Sequence, residues 1–419
     1  MDSMSRLLTE TDWSELDHAY GPASDAPFHL LALLGADITN RSAAVAYLDS
    51  AVLHQGSIYS ATGPIARVVA SVLRDPRTAE LVENVLPRDV EPRPLRLDLV
   101  DFLARVAESC AFDVVDEPML LAEAHPARYD EAELEGMRAE VKAWRRDMTG
   151  DDTTQSSDRL PAAVLDDEFA RAMSARDMLA CRAFAPELLN GLTAVFDDPD
   201  GRVKTKALEA AVHLSGHQNL VMNRPEIEHR LTEAAVSCSE PGVRAAAARL
   251  LGILGAHPEA LLHDAHPGVR ACAALAPSLA GDPFANRAIL DALLTPHEAD
   301  HWFEGHLPGQ DGWLRFDLIR AAALGVDDFE DLLPAALAVL ALASVHTLDE
   351  DLCPFVTAAF PRLHRAGDVL PPAQRAYLSA LLDREELWRA ASVQPWFRRT
   401  GLPQDLGACR TLVEISEGA

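Results

Sequence analysis

The segment His297-Glu298-Ala299-Asp300-His301 has the residue types and spacing in this chain that best fit catalysis. It matches the pattern H-E-x-x-H, in which two histidines one helical turn apart share a zinc ion and the glutamate activates a zinc-bound water. A complete site needs a third protein ligand, for which Glu304, His306 and Asp317 are nearby candidates. A zinc-dependent hydrolase using the two histidines and the glutamate is therefore one alternative for the function.

The residues around this segment argue against that alternative. Pro296 directly precedes the first histidine, so a helix would begin at Thr295, whereas zinc peptidases carry the motif well inside a helix. Asp300 departs from the uncharged residues that those enzymes favour, and residues 305–312 are rich in Gly and Pro. We expect no bound metal, and a solvated helix start at which Thr295 and Glu298 form a capping box.

Three large aromatic residues lie in the same Gly- and Pro-rich segment, namely Trp302, Phe303 and Trp313. Loops at one side of a repeat array often bind partners, and tryptophan is favoured at binding hot spots. These three residues are therefore candidate binding residues. The alternative, which we favour, is that they fold back and fill a groove in their own repeat.

A second candidate binding segment is His54-Gln55-Gly56. We expect Gly56 to end a helix in the left-handed conformation. His54 either lines a binding surface with Gln55 or caps a backbone carbonyl, and we favour the cap. The sequence contains no Gly-rich phosphate loop, G-x-S-x-G elbow or Cys-His pair in a recognisable context, so we expect neither a catalytic residue nor a cofactor.

A repeated phrase indicates the elements that position these segments. A turn, a valine next to a base and an Ala/Leu-rich run occur together at Pro199–Lys204, Pro241–Arg244 and Pro267–Arg270. After each valine, apolar residues recur at helical spacing and form a stripe on one helix face. A unit of this kind cannot bury its stripe alone, so neighbouring units must stack on it. We expect the base to pair with an acid in the adjacent repeat.

These residues resemble HEAT repeats, in which an acidic or proline turn precedes Val-Arg and then Ala at the start of the second helix. The N-terminal third is similar to bacterial, largely actinobacterial, HEAT-repeat proteins, through segments beginning at Trp13, Leu30, Asp37, His54 and Ala61. The resemblance implies an all-α superhelix of about eight to ten helical hairpins. The motifs say almost nothing about function. We predict a non-catalytic protein–protein interaction scaffold or adaptor, and the resemblance makes an immunity protein that neutralises a toxin a plausible alternative.

The composition restricts the partners. The chain has 65 acidic and 37 basic residues and a formal net charge of −28. Such a charge repels nucleic acid and anionic membranes and favours a cationic protein or peptide on an acidic concave face. The alternative is that the charge only keeps a large protein from aggregating. DNA glycosylases with a HEAT-like solenoid need a basic groove, so this composition makes that alternative improbable.

Three features of the sequence predict a cytoplasmic protein. Met1 to Thr11 lacks the pattern of a signal peptide, and the longest apolar run, Leu332–Val345, is shorter than the ~20 residues that a membrane span needs. No two cysteines are close enough in sequence for a zinc ribbon, and scattered cysteines fit a reducing compartment. The cysteines are Cys110, Cys181, Cys238, Cys272, Cys353 and Cys409.

Composition along the chain predicts four segments. A polar Ser/Thr/Asp cluster without helical periodicity separates two solenoid segments, and the C-terminal part carries bulky aromatics that could plug an exposed end. The segments are an N-terminal HEAT-like solenoid at 1–147, a polar linker at 148–160, a second HEAT-like solenoid at 161–383 and a cap at 384–419 with Trp388, Trp396 and Phe397.

Overall fold

A computed structural model describes this chain. It covers residues 3–417 apart from 83–91, 113, 150–159, 304–306, 311, 366–367 and 389–392. Within these residues the fold is all-α, as predicted. The strands form two antiparallel pairs, and each strand is two residues long. None of the helices described is both long and apolar enough to cross a membrane.

The chain divides into two compact units, Met1–Ile227 and Glu228–Ala419. The strands of the first unit are β1 (Asp17–His18), β2 (Gly21–Pro22), β3 (Leu81–Val82) and β4 (Arg93–Pro94). Its helices are α1 (Ser3–Glu10), α2 (Ala26–Ala32), α3 (Ile38–Tyr47), α4 (Thr62–Val72), α5 (Leu95–Ser109), α6 (Glu117–Ala124), α7 (Glu131–Thr149), α8 (Asp167–Arg182), α9 (Ala185–Leu192) and α10 (Gly201–Leu214).

The second unit is built from helices alone in the part that is described. Helix α11 (Arg224–Ser237) crosses the boundary between the units in sequence. The others are α12 (Pro241–Ile253), α13 (Pro267–Ala274), α14 (Pro283–Leu293), α15 (Pro296–Ala299), α16 (Leu314–Gly325), α17 (Phe329–Leu342), α18 (Leu348–Asp351), α19 (Cys353–Ala359), α20 (Pro372–Leu382), α21 (Glu385–Trp388), α22 (Val393–Thr400) and α23 (Leu406–Glu417).

The stacking in the first unit does not follow chain order throughout. Helix α9 packs on α4 and α10 packs on α5, so the α9–α10 pair stacks on the α4–α5 pair. Between them the chain makes an excursion through α6, α7 and α8, in which α6 packs on α8. Burial of the apolar faces of both pairs holds them together, since Leu99 and Phe102 of α5 and Ala207 and Ala211 of α10 are buried.

The second unit has the layered order expected of stacked helical pairs. Helices α12, α13 and α14 pack in sequence, and two rows of helices then run side by side. One row consists of α14, α17, α20 and α23, and the other of α16, α19 and α22. Each helix covers the apolar face of its neighbour in the row, which confirms the predicted stacking.

The repeated phrase marks helix starts, as predicted. Helices α10, α12 and α13 begin within it, and the valine in each is buried. The adjacent bases behave differently from one another. Arg244 pairs with Asp264 in the turn before α13 at 2.9 Å, which fits the expected pairing with the next repeat. Arg202 instead pairs with Asp200 of its own turn, and Arg270 donates to backbone carbonyls.

The predicted linker lies mostly outside the described residues and stays a prediction. Its first two residues belong to α7, which extends to Thr149. On either side of it, Leu134 of α7 packs with Phe169 and Ala172 of α8 in one buried cluster. In the predicted cap, Trp396 and Phe397 are buried, and the ring of Trp388 lies 4.9 Å from that of Phe397.

Candidate functional site

The H-E-x-x-H segment forms a single short helical turn rather than part of a long helix. Helix α15 is four residues long, with Pro296 as its first residue. Thr295 precedes it, but its side chain makes no capping hydrogen bond, so the expected cap is wrong. The carbonyl of Thr295 accepts bonds from the backbone N–H groups of Glu298 and Ala299, which satisfies the turn without that side chain.

The two histidines of this segment are close, but no third ligand joins them within the described residues. Their rings, those of His297 and His301, stack with centroids 4.6 Å apart, and Nδ1 of His301 lies 2.7 Å from the carbonyl oxygen of His297. Asp317 pairs with Arg249 at 2.9 Å, and Glu304 and His306 lie outside the described residues. The part of the chain that is described holds no group of three or more His, Cys, Asp or Glu placed to bind a metal.

Asp300, inside the same motif, points to the interior of the second unit. Its carboxylate pairs with Arg315, which also donates from Nε to Oδ1 of Asp351 across 2.8 Å. All three side chains are buried, and the guanidinium lies 4.7 Å from the ring of Phe316. Burial raises the pKa of Asp300, and the bonds from Arg315 oppose this shift. The motif that suggests catalysis therefore supplies one residue to a buried ion-pair network.

Two of the three candidate aromatic residues fold back onto their own unit. A Cβ atom on Gly268 would lie 2.6 Å from the ring of Phe303 and 2.9 Å from that of Trp302, so both rings cover the start of α13. Phe303 also lies 5.3 Å from the ring of His266. Trp313 is 45% exposed and lies 6.0 Å from the ring of His301. The structure thus places Trp302 and Phe303 against α13 and Trp313 beside His301, and their role in binding stays a prediction.

His54 has the capping geometry that we expected. Its Nδ1 lies 3.0 Å from the carbonyl oxygen of Ser50 and 3.4 Å from the hydroxyl of Tyr20. Gly56 adopts a left-handed conformation with φ of 75°, and Gln55 does so as well with φ of 52°. The left-handed pair turns the chain sharply after the helical segment and leaves Gln55 exposed.

The fold places a further group of side chains next to His54, and sequence reasoning missed it. These side chains are aromatic or titratable and come from β1, the turn after it, the turn before α2, α2, α3 and the turn that begins at His54. We call the group the ring surface, and it consists of His18, Tyr20, Asp25, Phe28, His29, Tyr47 and His54.

Ring contacts connect the members of the ring surface. His29 stacks on Tyr47 with centroids 4.2 Å apart, and His18 meets Tyr47 edge-on at 5.5 Å. Tyr20 meets the ring of His54 edge-on at 5.5 Å. Such offset and edge-to-face arrangements are favourable aromatic geometries, so the group is a packed assembly rather than a chance proximity.

Asp25 is the acidic member of the ring surface. Its Oδ1 accepts from the Tyr47 hydroxyl at 3.1 Å and from Nε2 of His18 at 3.3 Å. The backbone N–H of Tyr20 donates to Nδ1 of His18, which assigns the ring proton to Nε2. Burial, and then Asp25, raise the pKa of Tyr47, and burial lowers the pKa of His29. Tyr47 and His29 are therefore neutral near pH 7.

Local sequence features position the tyrosines of the ring surface. Gly21, with φ of 130°, allows the β1–β2 turn that places Tyr20 beside His18. Asp37 caps α3 by accepting from the backbone N–H groups of Thr39 and Asn40, which fixes the start of the helix that carries Tyr47. The density of His and Tyr between residues 18 and 54 is a sequence signal for the cluster, but it does not indicate which rings meet.

Comparisons of this chain with protein-family models, with curated proteins and with solved structures give no match. The function is therefore inferred from the charges and contacts described above.

Proposed function

We propose that this chain is a non-catalytic binding module, built from HEAT-like helical pairs, that recognises a basic protein or peptide. The observation that carries the proposal is the surplus of acidic residues, 65 against 37 basic ones. Even if every base were paired with one acid, many carboxylates would be left to act on a partner. A surface of this kind attracts cationic partners over a distance and repels anionic ones.

The pairing of buried arginines with carboxylates in each unit supports this proposal. In the first unit, Arg96 pairs with Asp198 at 2.7 Å, and both side chains are largely buried. In the second unit, the buried side chain of Arg249 pairs with Asp317, and Arg315 is enclosed between two carboxylates. Bases held in this way are not available to an anionic partner such as nucleic acid, which needs several exposed Lys or Arg side chains.

The cysteines support a location in the cytoplasm, which we include in the proposal. All six are free thiols, and four of them are buried. Free cysteines without disulfides are typical of reducing compartments.

The experiment that tests the proposal is a fluorescence anisotropy titration of labelled hexa-arginine and hexa-glutamate peptides with the full chain. We expect the arginine peptide to bind and the glutamate peptide not to bind. The affinity should fall as salt is raised, because exposed charges are screened. Tighter binding of the acidic peptide, or no binding of the basic one at low salt, would contradict the proposal.

A further inference from the structure

The ring surface presents one fixed carboxylate at the surface of the first unit. The Oδ1 atom of Asp25 already accepts two hydrogen bonds, from Tyr47 and His18. Within the described residues Oδ2 has no hydrogen-bond partner, and the side chain is 48% exposed. The two internal bonds hold the carboxylate in one orientation, so an incoming cation meets a preorganised acceptor with one oxygen available.

Two exposed aromatic residues belong to the same ring surface as this carboxylate, through their contacts with His18 and His29. Phe28, three residues after Asp25 on the first turn of α2, is 62% exposed, and Tyr20 is 58% exposed. Leu31, one turn further along α2, is 56% exposed and extends the apolar area. Large apolar side chains grouped around a polar centre are typical of interaction sites rather than of ordinary protein surface.

We propose that the ring surface binds an arginine side chain of the partner. A guanidinium is planar and weakly hydrated, stacks on aromatic faces and donates a charge-assisted hydrogen bond to a carboxylate. It therefore gains from both components of the site, the ring faces of Tyr20 and Phe28 and the free oxygen of Asp25. A lysine ammonium is more strongly hydrated and gains less from the rings. This inference rests on the proposed function, since it names where a basic partner is recognised.

The neighbouring titratable groups are compatible with a bound cation. Burial lowers the pKa of His29, so its ring stays neutral at pH 7 and does not repel a guanidinium. His18 donates its Nε2 proton to Asp25 and is buried behind it. Tyr47 is buried with its hydroxyl on the same carboxylate. The exposed part of the site thus consists of one acid and apolar or aromatic groups.

The test uses labelled hexa-arginine and hexa-lysine peptides with the full chain and four variants. We expect Asp25→Asn to weaken binding of the arginine peptide by about tenfold, as for loss of a charge-assisted bond. Phe28→Ala should weaken it by about threefold through loss of a ring contact. The matched controls are Glu123→Gln and Met119→Ala, exposed residues of α6 in the same unit, which should leave the affinity within about twofold of wild type.

Each alternative outcome has a distinct meaning. If Glu123→Gln weakens binding as much as Asp25→Asn, the attraction is diffuse, and the site inference is wrong while the proposed function stands. Equal affinity of hexa-lysine and hexa-arginine for the wild type would overturn the assignment to arginine. No binding of either basic peptide to the wild type would overturn the proposed function as well.

A second measurement follows binding on the wild-type chain and uses a variant only to assign a signal. Ring resonances of the wild-type chain with labelled tyrosines are followed by NMR during addition of hexa-arginine, with Tyr20 assigned through Tyr20→Phe. We expect the Tyr20 ring signals to shift along the same binding curve as the anisotropy. Unchanged Tyr20 signals at saturation would overturn the site.

Discussion

Arg315 and Asp351 form an ion pair in the interior of the second unit, with 2.8 Å between Nε and Oδ1 and side chains that are 6% and 0% exposed. The same guanidinium pairs with Asp300, which belongs to the H-E-x-x-H segment. A residue that sequence reasoning considered within a zinc motif thus belongs to a structural network. The network joins the segment before α16 to the end of α18.

Replacement of Arg315 by Met should destabilise the second unit strongly. The change leaves Asp300 and Asp351 buried without their cation, which typically costs about 3–5 kcal/mol of the free energy of unfolding. Urea denaturation followed by circular dichroism measures this loss. The matched control is Arg320→Met, because Arg320 is 39% exposed and its pairs with Glu350 and Asp317 should contribute at most about 1 kcal/mol each. Asp317 keeps its pair with Arg249 in this variant. Equal losses in the two variants would show that burial does not decide the strength of these pairs.

The glycines of the repeated phrase should differ in their tolerance of alanine. A Cβ on Gly268 would meet the ring of Phe303 at 2.6 Å, whereas the nearest atom to a Cβ on Gly242 is 3.8 Å away. Gly268→Ala must displace Trp302 and Phe303 and should cost about 1–3 kcal/mol. Gly242→Ala should be neutral or stabilising by up to about 1 kcal/mol, because alanine favours a helix.

Thermal unfolding and tryptophan emission check this prediction together. The Gly268→Ala variant should unfold at a lower temperature and show a changed emission, since Trp302 lies against the substituted position. A Gly268→Ala variant with the melting temperature and emission of Gly242→Ala would mean that these aromatics do not cover α13.

Asp177 should make the stability of the first unit depend on pH. Burial raises its pKa to about 7, and Asp17 adds to the shift while Arg138, Arg145 and Lys142 oppose it. Because the folded-state pKa lies above the ordinary value of 3.8, the protonated form is favoured by folding. The resulting stability is fully present below about pH 4 and is lost as the pH rises through about 7.

Asp177→Asn keeps a neutral side chain at every pH and should remove this dependence. At about pH 8 the variant should be more stable than the wild type by about 1–2 kcal/mol, an estimate reduced for partial exposure. The midpoints of urea denaturation, measured from about pH 4 to about pH 8 for both chains, test this prediction. The exposed Glu123→Gln is the control and should retain the wild-type pH dependence. If the stability of Asp177→Asn changes with pH as much as that of the wild type, another titratable group causes the pH dependence.

The cysteines should react in an order set by burial. The sulfur atoms of Cys110 and Cys181 lie 3.8 Å apart, and a hydrogen bond joins the two thiols. This hydrogen bond, and then burial, raise the pKa of Cys181. Burial raises the pKa of Cys272 to about 12. Since the thiolate is the reactive form, Cys181 and Cys272 should be alkylated by iodoacetamide at least about tenfold more slowly than the partly exposed Cys238. Cys110 should also react slowly, because it is buried and the reagent cannot reach it.

Mass spectrometry of the labelled peptides, in the native state and in urea, measures these rates. In urea all four thiols should react at similar rates, which serves as the internal control. Rapid native labelling of Cys181 would mean that the α5–α8 contact opens readily.

Much of the fold could be predicted from short-range patterns. The starts of α10, α12 and α13 follow from a turn residue and then a valine, because Pro and Gly terminate the preceding segment and the valine begins a stripe that must be buried. Most of the apolar run that begins at Leu332 lies in α17, where Leu332, Val339 and Leu340 are buried. Local geometry and hydrophobic spacing are encoded within about ten residues, so they are visible without a structure.

The candidate site could be predicted only in part. Capping by His54 and the left-handed Gly56 follow from local sequence, and the inward packing of Trp302 and Phe303 was the favoured alternative. The side-chain cap by Thr295 was wrong, since the turn at α15 is closed by backbone bonds. The direction in which Asp300 points could not be foreseen, because its partner Arg315 belongs to another helix.

The sequence by itself determined that this chain is all-α, strongly acidic and built from stacked helices, because helical periodicity and charge are properties of nearby residues and of composition. Tertiary structure alone decided that α9 and α10 stack on α4 and α5 across a long excursion, and that His18, Asp25 and Tyr47 come into contact. The reason is physical: which apolar faces pair, and which polar groups they bring together, depends on shape complementarity between segments far apart in the chain, and spacing along the sequence does not encode it.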